Sequence, residues 1–97
     1  MSKTPWVEQD PYERERFGKY LNEFCNEMRT LCRSLRAHVD NAEGCVGDRN
    51  AKGALESVRN MAKGIEELLP GIEEFGTREI TLSKPVQEAQ EYKFTHH

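Results

Sequence analysis

Apolar residues recur at alternating steps of four and three along two long stretches of the chain. In the first stretch this spacing places eight residues on one helical stripe, because an α-helix makes a turn in about 3.6 residues. The stripe consists of Phe17, Leu21, Phe24, Met28, Leu31, Leu35, His38 and Ala42. The pattern predicts a first helix over residues 11–43.

A second stripe follows with the same spacing, and Glu79 is its one polar member. It consists of Ala54, Val58, Met61, Ile65, Leu68, Ile72, Phe75, Glu79, Leu82, Val86 and Ala89. The pattern predicts a second helix over residues 51–82, followed by a short helix or a tail over 83–97. Pro70 falls inside the stripe, so we expect a kinked continuous helix rather than a break, although Pro70 could also end one helix. Ser83 and Pro85 leave the same choice open further on.

Residues that are typical of helix ends flank both stretches. Asp10 can cap free amides, Pro11 suits the first helical position, and Glu13 can complete a capping box. The preceding residues 1–10 are expected to form a loose arm. Gly44 stands where a helix end favours a left-handed residue, and Asp48 is a candidate cap for the second helix. Residues 44–50 are therefore predicted to be a turn.

Two helices joined by a short turn predict an all-α fold, an antiparallel hairpin over one domain of residues 1–97. Two helices alone make a poor core. Leu55, Ala62 and Leu69, spaced by seven beside the second stripe, widen its apolar face and call for another surface. We therefore expect two hairpins to pair into a four-helix bundle.

The stripes are interpreted as the packing seam, serving as core, as an interface, or as both in an obligate dimer. The predicted seam comprises Leu21, Phe24, Met28, Leu31 and Leu35 on the first helix, with Val58, Met61, Ile65, Leu68, Ile72 and Phe75 on the second. Hydrophobic burial would supply the binding energy.

Composition and charge argue against nucleic-acid binding and against a membrane span. The 97 residues carry a net charge of -3, which offers no general attraction for nucleic acid. No stretch approaches the roughly 20 apolar residues that cross a bilayer, and the start lacks the apolar region of a cleavable signal peptide. We expect a cytoplasmic protein, with export through a specialised system as the alternative.

The two stripes and the central Cys45, Val46 and Gly47 carry a family resemblance. The chain resembles the WxG-motif helical hairpins, the small ESAT-like proteins of bacterial type VII secretion, over residues 10–92. The Gly of the motif is present as Gly47, whereas Cys45 stands where the family has Trp. The resemblance implies association into four-helix bundles, as a homodimer or with another helical protein, and no cofactor.

The same family carries an export signal just past its second helix, a Tyr followed four residues later by an acid. Tyr92 is placed for the Tyr, but position 96 is His. The resemblance therefore implies either a small secreted substrate or a companion that helps to present a larger secreted protein. A cytoplasmic helical adaptor unrelated to secretion is the alternative interpretation.

Enzyme chemistry finds little support in the sequence. His38 could be the phosphoacceptor of a histidine phosphotransfer domain, but Asn41 and Ala42 stand where such domains usually carry Lys and Gly. Cys25 and Cys32 are interpreted as reduced residues at the edge of the core. We expect no catalytic residue, no metal ligand and no small-molecule substrate, and we assign no function to the terminal His96 and His97.

Charged residues suggest how the hairpin is oriented. Arg36 is predicted to face Glu56 across the turn. Arg29 would instead face Lys63, a like-charge meeting. We therefore expect Arg29 and Arg33 to meet acids on a second subunit or a partner protein.

Overall fold

The computed structural model describes residues 10–95, except the side chain of Phe94. The fold is all-α: helix α1 runs over Pro11–Glu43 and helix α2 over Arg49–Thr95, and together they form a helical hairpin. The predicted loose arm, apart from Asp10, lies outside the described residues, as do His96 and His97.

Aspartate side chains cap both helices at their N-termini. The Tyr12 amide donates to Asp10 Oδ1 at 2.9 Å, and the Asn50 amide donates to Asp48 Oδ1 at 3.1 Å. Each contact satisfies one of the amides that a first helical turn leaves without a partner. The Asp48 cap starts α2 at Arg49, two residues before the predicted start.

The turn between the helices differs from the expected glycine-dependent form. The Cys45 amide donates to the Ala42 carbonyl at 3.0 Å, and none of the glycines in the described chain has a positive φ. The prediction of a left-handed Gly44 is therefore wrong. In the turn motif, Cys45 and Gly47 are exposed and Val46 is half-buried.

Helix α2 continues through both prolines, so the predicted end at residue 82 is wrong. Pro70 and Pro85 are both exposed. The last turns are held by contacts with α1: Ser83 is fully buried, and Gln87 Nε2 donates to Glu15 Oε1 at 2.9 Å. Such packing offsets the cost of a proline inside a helix, which is about 3 kcal/mol.

One buried position recurs every seven residues along each helix. The buried residues at this position are Pro11, Gly18, Cys25, Cys32 and Val39 in α1, and Ala62, Leu69, Gly76 and Ser83 in α2. They form the seam between the helices, and most of them are small. The predicted seam residues lie beside this position rather than on it, and six of them are half-buried while five are exposed. Leu21, Met28, Leu35, Val58, Ile65 and Ile72 are half-buried, whereas Phe24, Leu31, Met61, Leu68 and Phe75 are exposed.

The residues divide into two compact units. The end unit combines the residues up to Glu23 with those from Ile72 onward, and the turn unit spans Phe24–Gly71. The contacts follow the order of an antiparallel pair. In the end unit Arg14, near the start of α1, contacts Glu79 in the second half of α2. In the turn unit Arg36, near the end of α1, contacts Glu66 in the first half of α2.

Glycines allow a very close helix approach within the end unit. A Cβ on Gly18 would lie 2.5 Å from the Gly76 carbonyl oxygen and 2.8 Å from Ile80 Cγ1. A Cβ on Gly76 would lie 2.9 Å from the Gly18 carbonyl oxygen. Any larger side chain at these positions would force the helices apart.

Small and thiol-bearing residues fill the seam of the turn unit. Cys25 and Ala62 are completely buried, and Cys25 Sγ donates to the Leu69 carbonyl at 3.6 Å. Cys25 and Cys32 are free thiols at the centre of the seam, rather than at the edge where the sequence placed them.

Candidate partner-binding surface

Large apolar side chains of the turn unit lie outside the seam. Phe24, Leu31, Met61 and Leu68 each directly precede a buried seam residue and are themselves exposed. The contrast is sharpest on α2, where Leu68 is 66% exposed and the adjacent Leu69 only 1%. We call these four residues the turn-unit patch.

The patch lies on one side of the turn unit, and a polar side faces the other way. Arg36 and Glu66 each follow a buried seam residue by four positions, and Arg36 Nη2 lies 2.8 Å from Glu66 Oε2. Residues that precede the buried position lie about 140° away around the helix axis from residues that follow it by four. Leu31 and Leu68 therefore share the side that faces away from this ion pair.

The end unit has an apolar side of the same kind. The rings of Phe17 and Phe75 meet edge to face across the helices, with centroids 6.4 Å apart. Both rings remain about half exposed, and Leu82 and Val86 are exposed beyond them on α2. An edge-to-face contact between partly exposed rings leaves area for a further apolar surface.

Glu79, the one acid in the second stripe, has a structural partner. Arg14 Nε donates to Glu79 Oε1 at 2.7 Å, and the Glu79 side chain is largely buried. The Glu79 carboxylate is tolerated in this largely buried place because the Arg14 guanidinium neutralises its charge. The contact explains the only polar residue of that stripe.

The polar side of the end unit is cross-linked by hydrogen bonds and ion pairs. Glu15 accepts from Gln87, and its carboxylate also meets Lys19 at 3.2 Å and Lys84 at 3.7 Å. The hydrogen bond from Gln87, then the lysines, lowers the pKa of Glu15 below its usual value. Lys19 thus pairs within its own helix.

The polar side of the turn unit holds Arg59 among three acids. Its guanidinium lies 2.8 Å from Asp40, 3.1 Å from Glu43 and 3.2 Å from Glu56, and these contacts raise the already high pKa of Arg59. Glu56 therefore pairs with Arg59. The predicted pair of Arg36 with Glu56 is wrong, because Arg36 pairs with Glu66.

The remaining sequence candidates are dispersed. His38 is exposed at a position that precedes a buried seam residue, and Tyr92 is exposed within α2 rather than in a tail after it. Within residues 10–95, no group of three or more His, Cys, Asp or Glu side chains is placed to hold a metal ion. Neither helix, over the residues described, has a segment apolar enough to span a membrane.

Ala62 and Leu69, which were expected to face another surface, are instead buried in the seam, and they belong to a repeat of mostly small residues that the apolar stripes do not reveal. Gly18, Cys25 and Cys32 recur at intervals of seven, and so do Ala62, Gly76 and Ser83 around Leu69. Small residues at one position of a seven-residue repeat let two helices approach closely. Bulky residues at the neighbouring position then remain outside.

Comparison with protein-family models, with curated proteins and with solved structures finds no match to this chain.

Proposed function

We propose that this protein is a non-catalytic helical interaction module, and that its apolar patches pack against a second copy of the chain in a four-helix bundle. The single observation that carries the proposal is the exposure of large apolar side chains beside a seam of small ones. Monomeric soluble proteins rarely leave extended apolar patches uncovered, and such patches mark interaction sites.

A second copy fits the turn-unit patch because a symmetric dimer needs only one self-complementary surface. Phe24 and Leu31 come from α1 and Met61 and Leu68 from α2, so both helices contribute equally. Beside Leu68, Gly64 and Gly71 are exposed, and no atom lies within 4 Å of where their Cβ would be. A neighbouring helix can therefore approach α2 closely here.

The biological role that we propose is that of a small type VII secretion substrate, and the companion of a larger secreted protein is the alternative. Its support is the resemblance to the WxG-motif hairpins, together with two long helices and a central turn that holds Gly47. The proposal places synthesis in the cytoplasm and export afterwards.

Association tests the interaction role. Light scattering of the purified protein should give twice 11.2 kDa, and Leu31→Asp with Leu68→Asp should give a monomer of unchanged helicity, because two charges would have to be buried in the interface. A matched control adds the same two charges at exposed outer positions, through Thr30→Asp and Asn60→Asp. The control should remain dimeric. A monomeric wild type would contradict the second copy and favour the companion role.

Export tests the secretion role. In a bacterium with a type VII system, the protein should appear in the culture medium, and deletion of the secretion ATPase should retain it in the cells. Tyr92→Ala should reduce the exported fraction at least tenfold without changing the total amount, if Tyr92 acts as the export signal. Equal export with and without the ATPase would contradict this role while leaving the association result intact.

A further inference from the structure

A groove lies on the polar side of the turn unit, away from the turn-unit patch. Its volume is about 490 Å³, which is within the range of small-molecule sites. The groove is lined by Arg33, Arg36, Ala37 and Asp40 of α1 and by Arg59 and Lys63 of α2. Four cationic side chains therefore meet one carboxylate around a single concavity.

The cations of the groove differ in how far their charge is already neutralised. Arg59 is held by three acids and Arg36 by Glu66. Arg33 and Lys63 pair with no carboxylate among residues 10–95, although the two helices bring them to the same groove. Two like charges in one concavity repel each other, and a multivalent anion would relieve that repulsion.

Arg36 offers a further unused donor. Only its Nη2 donates to Glu66, and its Nε is buried without an acceptor among the described residues. A guanidinium binds an oxyanion best with two parallel donors, and a buried donor without a partner costs stability. A turn of the partly exposed Arg36 side chain towards the groove would allow such a paired contact.

We propose that this groove binds a small phosphate-bearing ligand, with Arg33 and Lys63 supplying the charge and Arg36 the paired donors. A phosphate group carries a charge of about -1.5 to -2 at neutral pH on a compact set of oxygens, which matches two unpaired cations. Arg59 and Asp40, which also line the groove, pair with each other. The site is independent of the proposed dimer, because the patch lies on the other side of the unit.

Titration calorimetry with inorganic tripolyphosphate, at physiological ionic strength, tests the groove directly. We expect saturable binding with one site per chain, and at least tenfold weaker binding after Arg33→Gln with Lys63→Gln. The matched control, Arg78→Gln with Lys93→Gln, removes one Arg and one Lys from the other unit and should bind as the wild type does. Circular dichroism confirms that both variants keep their helices.

A hexaglutamate peptide forms the second arm of the experiment. It should bind at least tenfold more weakly than tripolyphosphate, because its carboxylates spread their charge over a longer chain. Three results would overturn the proposal: no saturable binding of tripolyphosphate, an equal loss of binding in both double variants, or tighter binding of the peptide. The last result would instead assign the groove to an acidic segment of a protein.

Discussion

Leu69→Ala is expected to lower the free energy of unfolding by about 2–5 kcal/mol, the usual cost of removing a buried leucine side chain. Leu69 is 1% exposed and lies in the seam of the turn unit, where the Cys25 thiol contacts its carbonyl. Truncation would leave a cavity between two closely packed helices that have little freedom to collapse. Chemical denaturation followed by circular dichroism measures the loss.

The adjacent Leu68 is the matched control for this prediction. Because its side chain is 66% exposed, Leu68→Ala should change the free energy of unfolding by less than about 0.5 kcal/mol. Both variants must be measured at a concentration where light scattering detects only monomer, so that association does not contribute. Equal losses at the two positions, or a larger loss at Leu68, would contradict the seam described here.

Gly18→Ala is expected to destabilise the end unit by about 1–3 kcal/mol, in spite of the better helix propensity of alanine. The new Cβ would lie 2.5 Å from the Gly76 carbonyl oxygen, so the helices must separate. The variant should therefore unfold at a lower denaturant concentration, and amides of the end unit should exchange faster with solvent.

Gly53→Ala is the control, because this glycine is also within a helix but has no atom within 4 Å of its Cβ position. It should raise the free energy of unfolding by about 0.5–1 kcal/mol, the ordinary gain of alanine over glycine in a helix. If Gly18→Ala lowers the free energy of unfolding and Gly53→Ala raises it, helix packing is the cause of the loss at Gly18. A stabilised Gly18→Ala variant would show that the helices do not approach closely.

Helix positions were predictable because they depend on local properties of the chain. The spacing of apolar residues and the signal of Asp10 with Pro11 place α1 over Pro11–Glu43. Asp48 was recognised as a cap, although the predicted helix began two residues later. The end of α2 was mispredicted, because its last turns are held by Gln87 contacts with a residue far away in sequence.

The candidate surface was predictable as a set of residues but not in its role. Leu31 and Leu68 belong to the apolar stripes, so the sequence singles them out. Hydrophobic periodicity alone cannot decide whether such residues face the other helix or a partner. In the turn unit the buried Cys25 and Ala62 decide it, because these small residues occupy the seam and the larger side chains lie outside it.

The sequence by itself determined that this protein forms two amphipathic helices with a turn near the middle, because caps and a 3.6-residue period act within a single helix. Only the tertiary structure decided which side of each helix is buried, since that depends on contacts such as the one between Cys25 and Leu69. It likewise decided that Arg33 and Lys63 line one groove, because residues 30 positions apart meet only when the two helices pack.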